Sequence, residues 1–197
     1  MCLKELKAAG KKVIFVNCSG SAIALTPETA SCDAILQAWY PGEAGGQAVA
    51  DVLFGDYNPA GKLPISFYKN SEKLGDFEDY SMKGRTYRYT TDVLFPFGFG
   101  LSYSKFDIGT AKLSKTTIQS NENTQLSFPI QNISKRDGTE IVQVYVRKLN
   151  DPDGPLKTLK AFKRIDLKAD EKQNITIDLP ASSFEFYDSK IIGMNVT

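Results

Sequence analysis

The chain has 197 residues, 42% hydrophobic and 24% charged, with a net charge of +1. That is room for one large or two small globular domains, with no electrostatic reason to expect a nucleic acid or a membrane surface as partner. No apolar run approaches the ~20 residues of a membrane span, and Met1-Cys2-Leu3-Lys4-Glu5-Leu6 is too polar for a signal peptide. Histidine is absent, which removes Ser-His-Asp and Cys-His catalysis and the usual zinc sites. Cys2, Cys18 and Cys32 form no Cys-x-x-Cys pair and read as reduced thiols, so no metal site is expected. Chemistry, if any, falls to carboxylates, Lys, Tyr or Arg.

In chain order, Leu3 to Ala9 predict the end of a helix, with Leu3 and Leu6 on one face and Gly10 as a left-handed C-cap. Val13-Ile14-Phe15-Val16 reads as a parallel strand buried on both faces. Thr26-Pro27-Glu28 has helix-start chemistry, with a capping hydroxyl followed by proline at the first helical position. Ala34 to Trp39 predicts a second buried strand, and Tyr40-Pro41-Gly42 a turn. Ala48, Val49, Val52 and Leu53 predict one face of a helix that Gly55 ends. Strand, helix, strand, helix implies a βαβ unit with too few strands for a whole doubly wound domain, so the sheet is expected to begin before residue 1.

From Asp56 to Gly100, Pro and Gly punctuate a loop-rich stretch that carries a dense run of aromatics, including Phe67, Phe77, Tyr80, Tyr87, Phe95, Phe97 and Phe99. Beyond Phe106 the pattern alternates: Leu126, Phe128, Ile130; Val142, Val144, Val146; Ile175, Ile177, Leu179. Turn-forming runs at 120–123, 135–138, 150–154 and 169–171 separate these segments. The second half therefore predicts an antiparallel β-sandwich.

Three motifs invite chemistry. Trp39-Tyr40-Pro41-Gly42-Glu43-Ala44-Gly45-Gly46 joins a strand to a helix, but matches no phosphate-binding loop. Glu43 is expected to complement the helix N-terminus, and Gly45 and Gly46 to allow close helix–sheet packing. Gly84-Arg85-Thr86-Tyr87-Arg88-Tyr89 alternates cations with rings. Arg85, Tyr87, Arg88 and Tyr89 are candidate sugar-binding residues, Tyr faces stacking on pyranose rings and Arg donating to hydroxyls. The alternative is structural: Arg stacked on Tyr and paired with Asp79 or Asp92 to pin the loop. Four Asn-x-Ser/Thr triplets, at Asn17, Asn132, Asn174 and Asn195, fit a glycosylation pattern short enough to arise by chance.

Taken together, KKVIFVNCSGSAIAL (Lys11 to Leu25), WYPGEAGGQAVADVLFGDYNPAGKLPISF (Trp39 to Phe67), GRTYRY, FPFGFGLSYSKF, RDGTEIVQVYV and LKTLKAFKRIDL resemble the C-terminal half of glycoside hydrolase family 3, the β-glucosidase and β-xylosidase family. The resemblance covers nearly the whole chain. It implies the C-terminal part of an incomplete α/β sandwich domain over residues 1–70 and an aromatic connector over 71–105. A fibronectin type III-like (immunoglobulin-like) β-sandwich follows over 106–197, short of its last strand.

It also implies a parent enzyme that retains configuration through two carboxylates about 5 to 5.5 Å apart, on terminal β-xylosyl or β-glucosyl residues, without metal or cofactor. Both carboxylates would lie upstream, the nucleophile in a missing N-terminal barrel domain. No residue here is assigned a catalytic role, and the chain alone is expected to be inactive. GRTYR leans toward the xylosidase branch, and the resemblance suggests a periplasmic or secreted parent. The rival readings are a stand-alone carbohydrate-binding module and a structural β-sandwich spacer.

Overall fold

The computed structural model describes residues 2–71, 74–188 and 193–196. In chain order these form α1 (Cys2–Ala8), β1 (Ile14–Asn17), α2 (Thr26–Ser31), β2 (Ala34–Gln37), α3 (Gly45–Phe54) and α4 (Thr86–Tyr89). The strands β3 (Phe106–Ile108), β4 (Lys112–Leu113), β5 (Thr124–Asn132), β6 (Gly138–Val146), β7 (Thr158–Leu167), β8 (Lys172–Leu179), β9 (Glu185–Asp188) and β10 (Gly193–Val196) follow. The chain divides into two compact units, and not at a single point. The first holds Met1–Tyr57 and Leu63–Phe99; the second holds Asn58–Lys62 and Gly100–Thr197. Among the described residues no helix is long and apolar enough to cross a membrane.

In the first unit β1 and β2 pair in parallel, Ile14 opposite Ala34 through Asn17 opposite Gln37. Asp33 fixes the start of this ladder. Its carboxylate accepts the Val13 N–H at 2.9 Å and faces Lys12 and Lys7. The backbone donor foremost, then these lysines, hold the Asp33 carboxyl below its ordinary range.

The structure departs from the sequence pattern at several positions. Ile14 is 52% exposed, so β1 is not buried on both faces; among the described residues its ladder partner is β2 alone. Trp39 has a φ of 57°, and this left-handed residue lies beyond the strand, which ends at Gln37. Thr26 does not cap α2; it is the first helical residue, and its hydroxyl donates to the Lys69 carbonyl at 2.7 Å. On α3, Val49 and Val52 are half-buried, but Ala48 and Leu53 are exposed. Glu43 is exposed and lies outside the first turn of that helix. Of the two glycines only Gly45 is crowded, against Pro41 rather than the sheet; Gly46 faces open space.

The second unit is a sandwich organised by β5. One edge of β5 pairs antiparallel with β8, Thr124 opposite Leu179 through Gln131 opposite Lys172. Its other edge takes β3 and then β4. Alternation sends Phe128 and Ile130 of β5 and Ile175, Ile177 and Leu179 of β8 inward, where they meet Val144 of β6 and Ile165 and Leu167 of β7. The outer face of the same pair is polar: Ser127 bonds Thr176 at 3.0 Å, and Gln125 donates to Asp178 at 2.8 Å. Pro129 sits in this inner strand without harm because its backbone faces the gap between β3 and β4, where its carbonyl accepts the Gly109 N–H at 2.9 Å. A Cβ on Gly109 would lie 2.7 Å from the Pro129 ring.

β6 and β7 form a hairpin with a register shift between Val144 and Tyr145, and β9 pairs with β10. β7 does not read as alternating because Lys163 takes one of its inward-phase positions while Phe162, 69% exposed, stands on the outer face. Asn132 is fully buried. Its amide donates to the Arg136 carbonyl at 2.8 Å and its side-chain oxygen accepts the Ser134 N–H at 3.0 Å, so this triplet builds a turn. Asn17 is 6% exposed, whereas Asn174 is exposed. The triplet beginning at Asn195 runs into Thr197, outside the described residues.

Asn58 is drawn into this unit by four hydrogen bonds. Its amide donates to Ser104 Oγ at 2.8 Å and the Asp137 carbonyl at 2.9 Å, and its oxygen accepts Ser102 Oγ and the Tyr103 N–H, both at 2.9 Å. Lys62 pairs with Glu140 at 2.8 Å, both side chains under one-fifth exposed.

Leu167→Ala should cost about 2–5 kcal/mol of stability in urea titration, since Leu167 is 2% exposed in the shared core. A pH series tests the charged turn beside it. Asp137 accepts from Lys168 Nζ and the Ala169 N–H, both at 2.9 Å, which hold its carboxyl below the ordinary 3.8. A carboxyl so depressed adds stability above 3.8 that is lost as pH falls through its folded value. The melting-temperature gap between wild type and Asp137→Asn should therefore be widest near neutrality and close well below 3.8. A gap constant with pH would show that this carboxyl does not titrate as read.

Candidate functional site

The aromatic stretch of the first unit is organised by two extended segments. The Leu63 N–H donates to the Phe99 carbonyl and the Gly98 N–H to the Leu63 carbonyl, each at 2.8 Å. Farther along, the Phe67 N–H donates to the Phe95 carbonyl at 2.8 Å. Phe67 is 1% exposed, edge-on to Trp39 (ring centroids 6.0 Å) and to Phe95 (6.4 Å), and Phe95 stacks on Phe99 at 5.3 Å. These rings supply the apolar floor.

The candidate sugar-binding residues stand on this floor as one helical turn. Thr86 has a φ of 57°, and its N–H donates to the Tyr68 hydroxyl at 2.8 Å; this left-handed entry starts α4. Tyr87 stacks on Phe97 at 4.2 Å with an 18° interplanar angle. The Arg88 guanidinium lies 5.9 Å from the Tyr89 ring centroid. Its Nε is buried without a hydrogen-bond partner among the described residues, a costly state for a charged donor. Arg85 donates to the Asp76 carbonyl. The structure thus gathers Tyr87, Arg88 and Tyr89 into a single turn with Arg85 at its entrance, all four half-buried.

Asp92 pairs with Lys69. Asp79 accepts the Ser81 N–H at 2.8 Å and the Ser81 hydroxyl at 2.9 Å. These bonds foremost, and Arg85 at longer range, lower its carboxyl below the ordinary value. The loop so braced presents Phe77 (95% exposed) and Tyr80 (92%), two rings that residue type alone does not separate from the buried ones.

The carboxyls of Asp33, Asp79, Glu122, Asp137 and Glu171 are all displaced downward, because N–H, hydroxyl or ammonium donors stabilise their charged forms. A general acid for glycoside cleavage requires the opposite displacement. In the second unit an open groove of about 580 Å³ runs along Leu159–Lys163 and 176–178; its one acid, Asp178, accepts the Gln125 amide. Among the described residues no three His, Cys, Asp or Glu side chains converge as metal ligands.

Comparison with known proteins decides the family. Residues 1–103 match the glycosyl hydrolase family 3 C-terminal domain, and residues 140–196 match a fibronectin type III-like domain. The chain belongs to glycosyl hydrolase family 3. It is 60% identical over 188 residues to a xylan 1,4-β-xylosidase of Xylanibacter ruminicola, covering 95% of this chain and 22% of that protein. It is 36% identical to a periplasmic β-glucosidase of Salmonella typhimurium, covering 96% of this chain and 26% of the relative. A solved β-glucosidase from Listeria innocua, in complex with glucose, superposes on 100% of this chain and 29% of its own with a TM-score of 0.87 at 28% identity. The chain therefore spans about a quarter of the length of these family 3 relatives, and its α/β-then-β-sandwich order is that of the two matched domains.

Tyr68→Phe removes the acceptor that holds the Thr86 N–H. A loss of about 1 kcal/mol is expected in thermal unfolding followed by the fluorescence of Trp39, the one tryptophan of the chain. An unchanged transition would show that the turn does not depend on this bond.

Proposed function

We propose that this chain is the C-terminal portion of a retaining β-glycosidase that removes terminal β-xylosyl residues, or β-glucosyl residues, from plant polysaccharide oligomers. One observation carries the reading: 60% identity, across both matched domains, to a protein named for xylan xylosidase activity. The cleaving carboxylates belong to the part of the enzyme N-terminal to this segment. The role of this segment is to supply a wall of the substrate cleft, with Tyr87 and Tyr89 offering ring faces and Arg85 and Arg88 donating to sugar hydroxyls. The enzyme works outside the cytoplasm, as the name of the periplasmic relative suggests.

The same residues would serve a stand-alone carbohydrate-binding module, and two measurements separate the readings. With aryl β-xyloside and aryl β-glucoside the chain alone should give no turnover; clear turnover would place a carboxylate pair within these residues and overturn the assignment. Titration with xylo-oligosaccharides should show at most weak binding, lost in Tyr87→Ala and Arg88→Ala. Tight saturable binding by the isolated chain would favour the module.

A further inference from the structure

Within the β-unit, β7 carries a lysine where its pattern calls for an apolar side chain. Ile165 and Leu167 point into the core, and Lys163 stands in the same phase. It lies directly opposite Val142 of β6, which packs against that core. Yet Lys163 is exposed: its stem lines the open groove beside β8, and its ammonium donates to the Thr176 carbonyl of β8 at 3.2 Å. The direction of that carbonyl follows from the β5–β8 ladder. In an antiparallel pair each residue sends its N–H and C=O to one side, and successive residues alternate. Pro129 and Gln125 of β5 turn away from β8, since their carbonyls accept the Gly109 and Ser114 N–H groups. Their opposites on β8, Asn174 and Asp178, therefore turn away from β5, and so does Thr176 between them. These three residues present N–H and C=O groups along the outer edge of β8, whose ladder partner among the described residues is β5 alone.

We infer that Lys163 is an edge guard, which keeps β8 from pairing with β8 of a second copy of this chain. An exposed edge of alternating donors and acceptors is a template for strand addition, and a lysine laid across it is a recurrent block. The β8 edge is self-complementary. Antiparallel pairing centred on Thr176 sets Thr176 against its own counterpart and Asn174 against the second copy's Asp178. Each such pair exchanges two backbone hydrogen bonds, and on the outer face an amide then meets a carboxylate with no like charge opposite it. Pro180 closes the run, having no N–H to give. The Lys163 ammonium occupies the acceptor at the centre of that register. A two-fold axis through Thr176 would bring a second ammonium beside it, so the guard acts by occupancy and by repulsion. None of this depends on the sugar-contact reading of the 85–89 turn.

Site-resolved amide exchange on the full chain, followed over a concentration series, tests this. In the wild type the Asn174, Thr176 and Asp178 amides should exchange at rates independent of concentration. Lys163→Met keeps the stem and removes the donor and its charge. In that variant the same three amides should slow roughly tenfold as concentration rises. Adding Thr176→Pro removes the central N–H and no bond of the β5 ladder, so the Asn174 and Asp178 amides should return to wild-type rates. Rates that stay independent of concentration in Lys163→Met overturn the inference. So does concentration-dependent slowing of these amides in the wild type, or slowing that persists in the double variant. The Ile175 and Ile177 amides, bonded to β5, report whether each variant is folded. If Lys163→Met opens them, Lys163→Gln gives the same comparison. Association through any other surface leaves the three edge amides unchanged and is not counted.

Discussion

The side chain of Asn58 is the constraint that ties residues 58–62 into the β-unit. A primary amide has two donors and an accepting oxygen, and here they meet two donors and two acceptors of the second unit. A half-buried amide so satisfied is stable in one geometry, and losing any partner leaves a polar group to be desolvated without compensation. Five residues, Asn58–Lys62, are thereby assigned to the β-unit although the chain on both sides belongs to the α/β unit. Along its length the polypeptide therefore changes from one unit to the other three times.

Within the β-unit, stability is of the ordinary kind. Phe128, Ile130, Ile175, Ile177 and Leu179 come from two strands that share a register, and Val144, Ile165 and Leu167 close the core from the hairpin. Each such side chain contributes about 1.5–3 kcal/mol by leaving water. The α/β unit is different. Its buried apolar residues are few, with Val13, Leu25 and Phe67 prominent, while Ile14, Tyr40 and Phe54 are half or more exposed. Rings carry much of its packing, which is why the aromatic floor and the turn above it form one assembly.

The strands of the sandwich were legible because alternation is a local signal: a period of two over five residues needs no knowledge of what lies across the core. β7 was not, since Lys163 falls in its inward phase and Phe162 on its outer face. The candidate site was legible as composition, in the repeated Arg and Tyr of GRTYRY, and the family in its motif strings. What could not be read was which partner each Arg and Tyr would take. Tyr87 found Phe97, Thr86 found Tyr68, and Asp92 took Lys69.

By itself, then, the sequence determined the α/β-then-β order of the chain and the family, because periodicity, turn chemistry and motif spacing act over a few neighbouring residues. Only the tertiary structure decided what Asn58 does, that Ile14 of β1 is exposed and how the 85–89 turn is seated. The reason is distance along the chain. Asn58 bonds residues 46 and 79 positions away. No local pattern encodes which distant donor will meet which acceptor once the backbone has closed on itself.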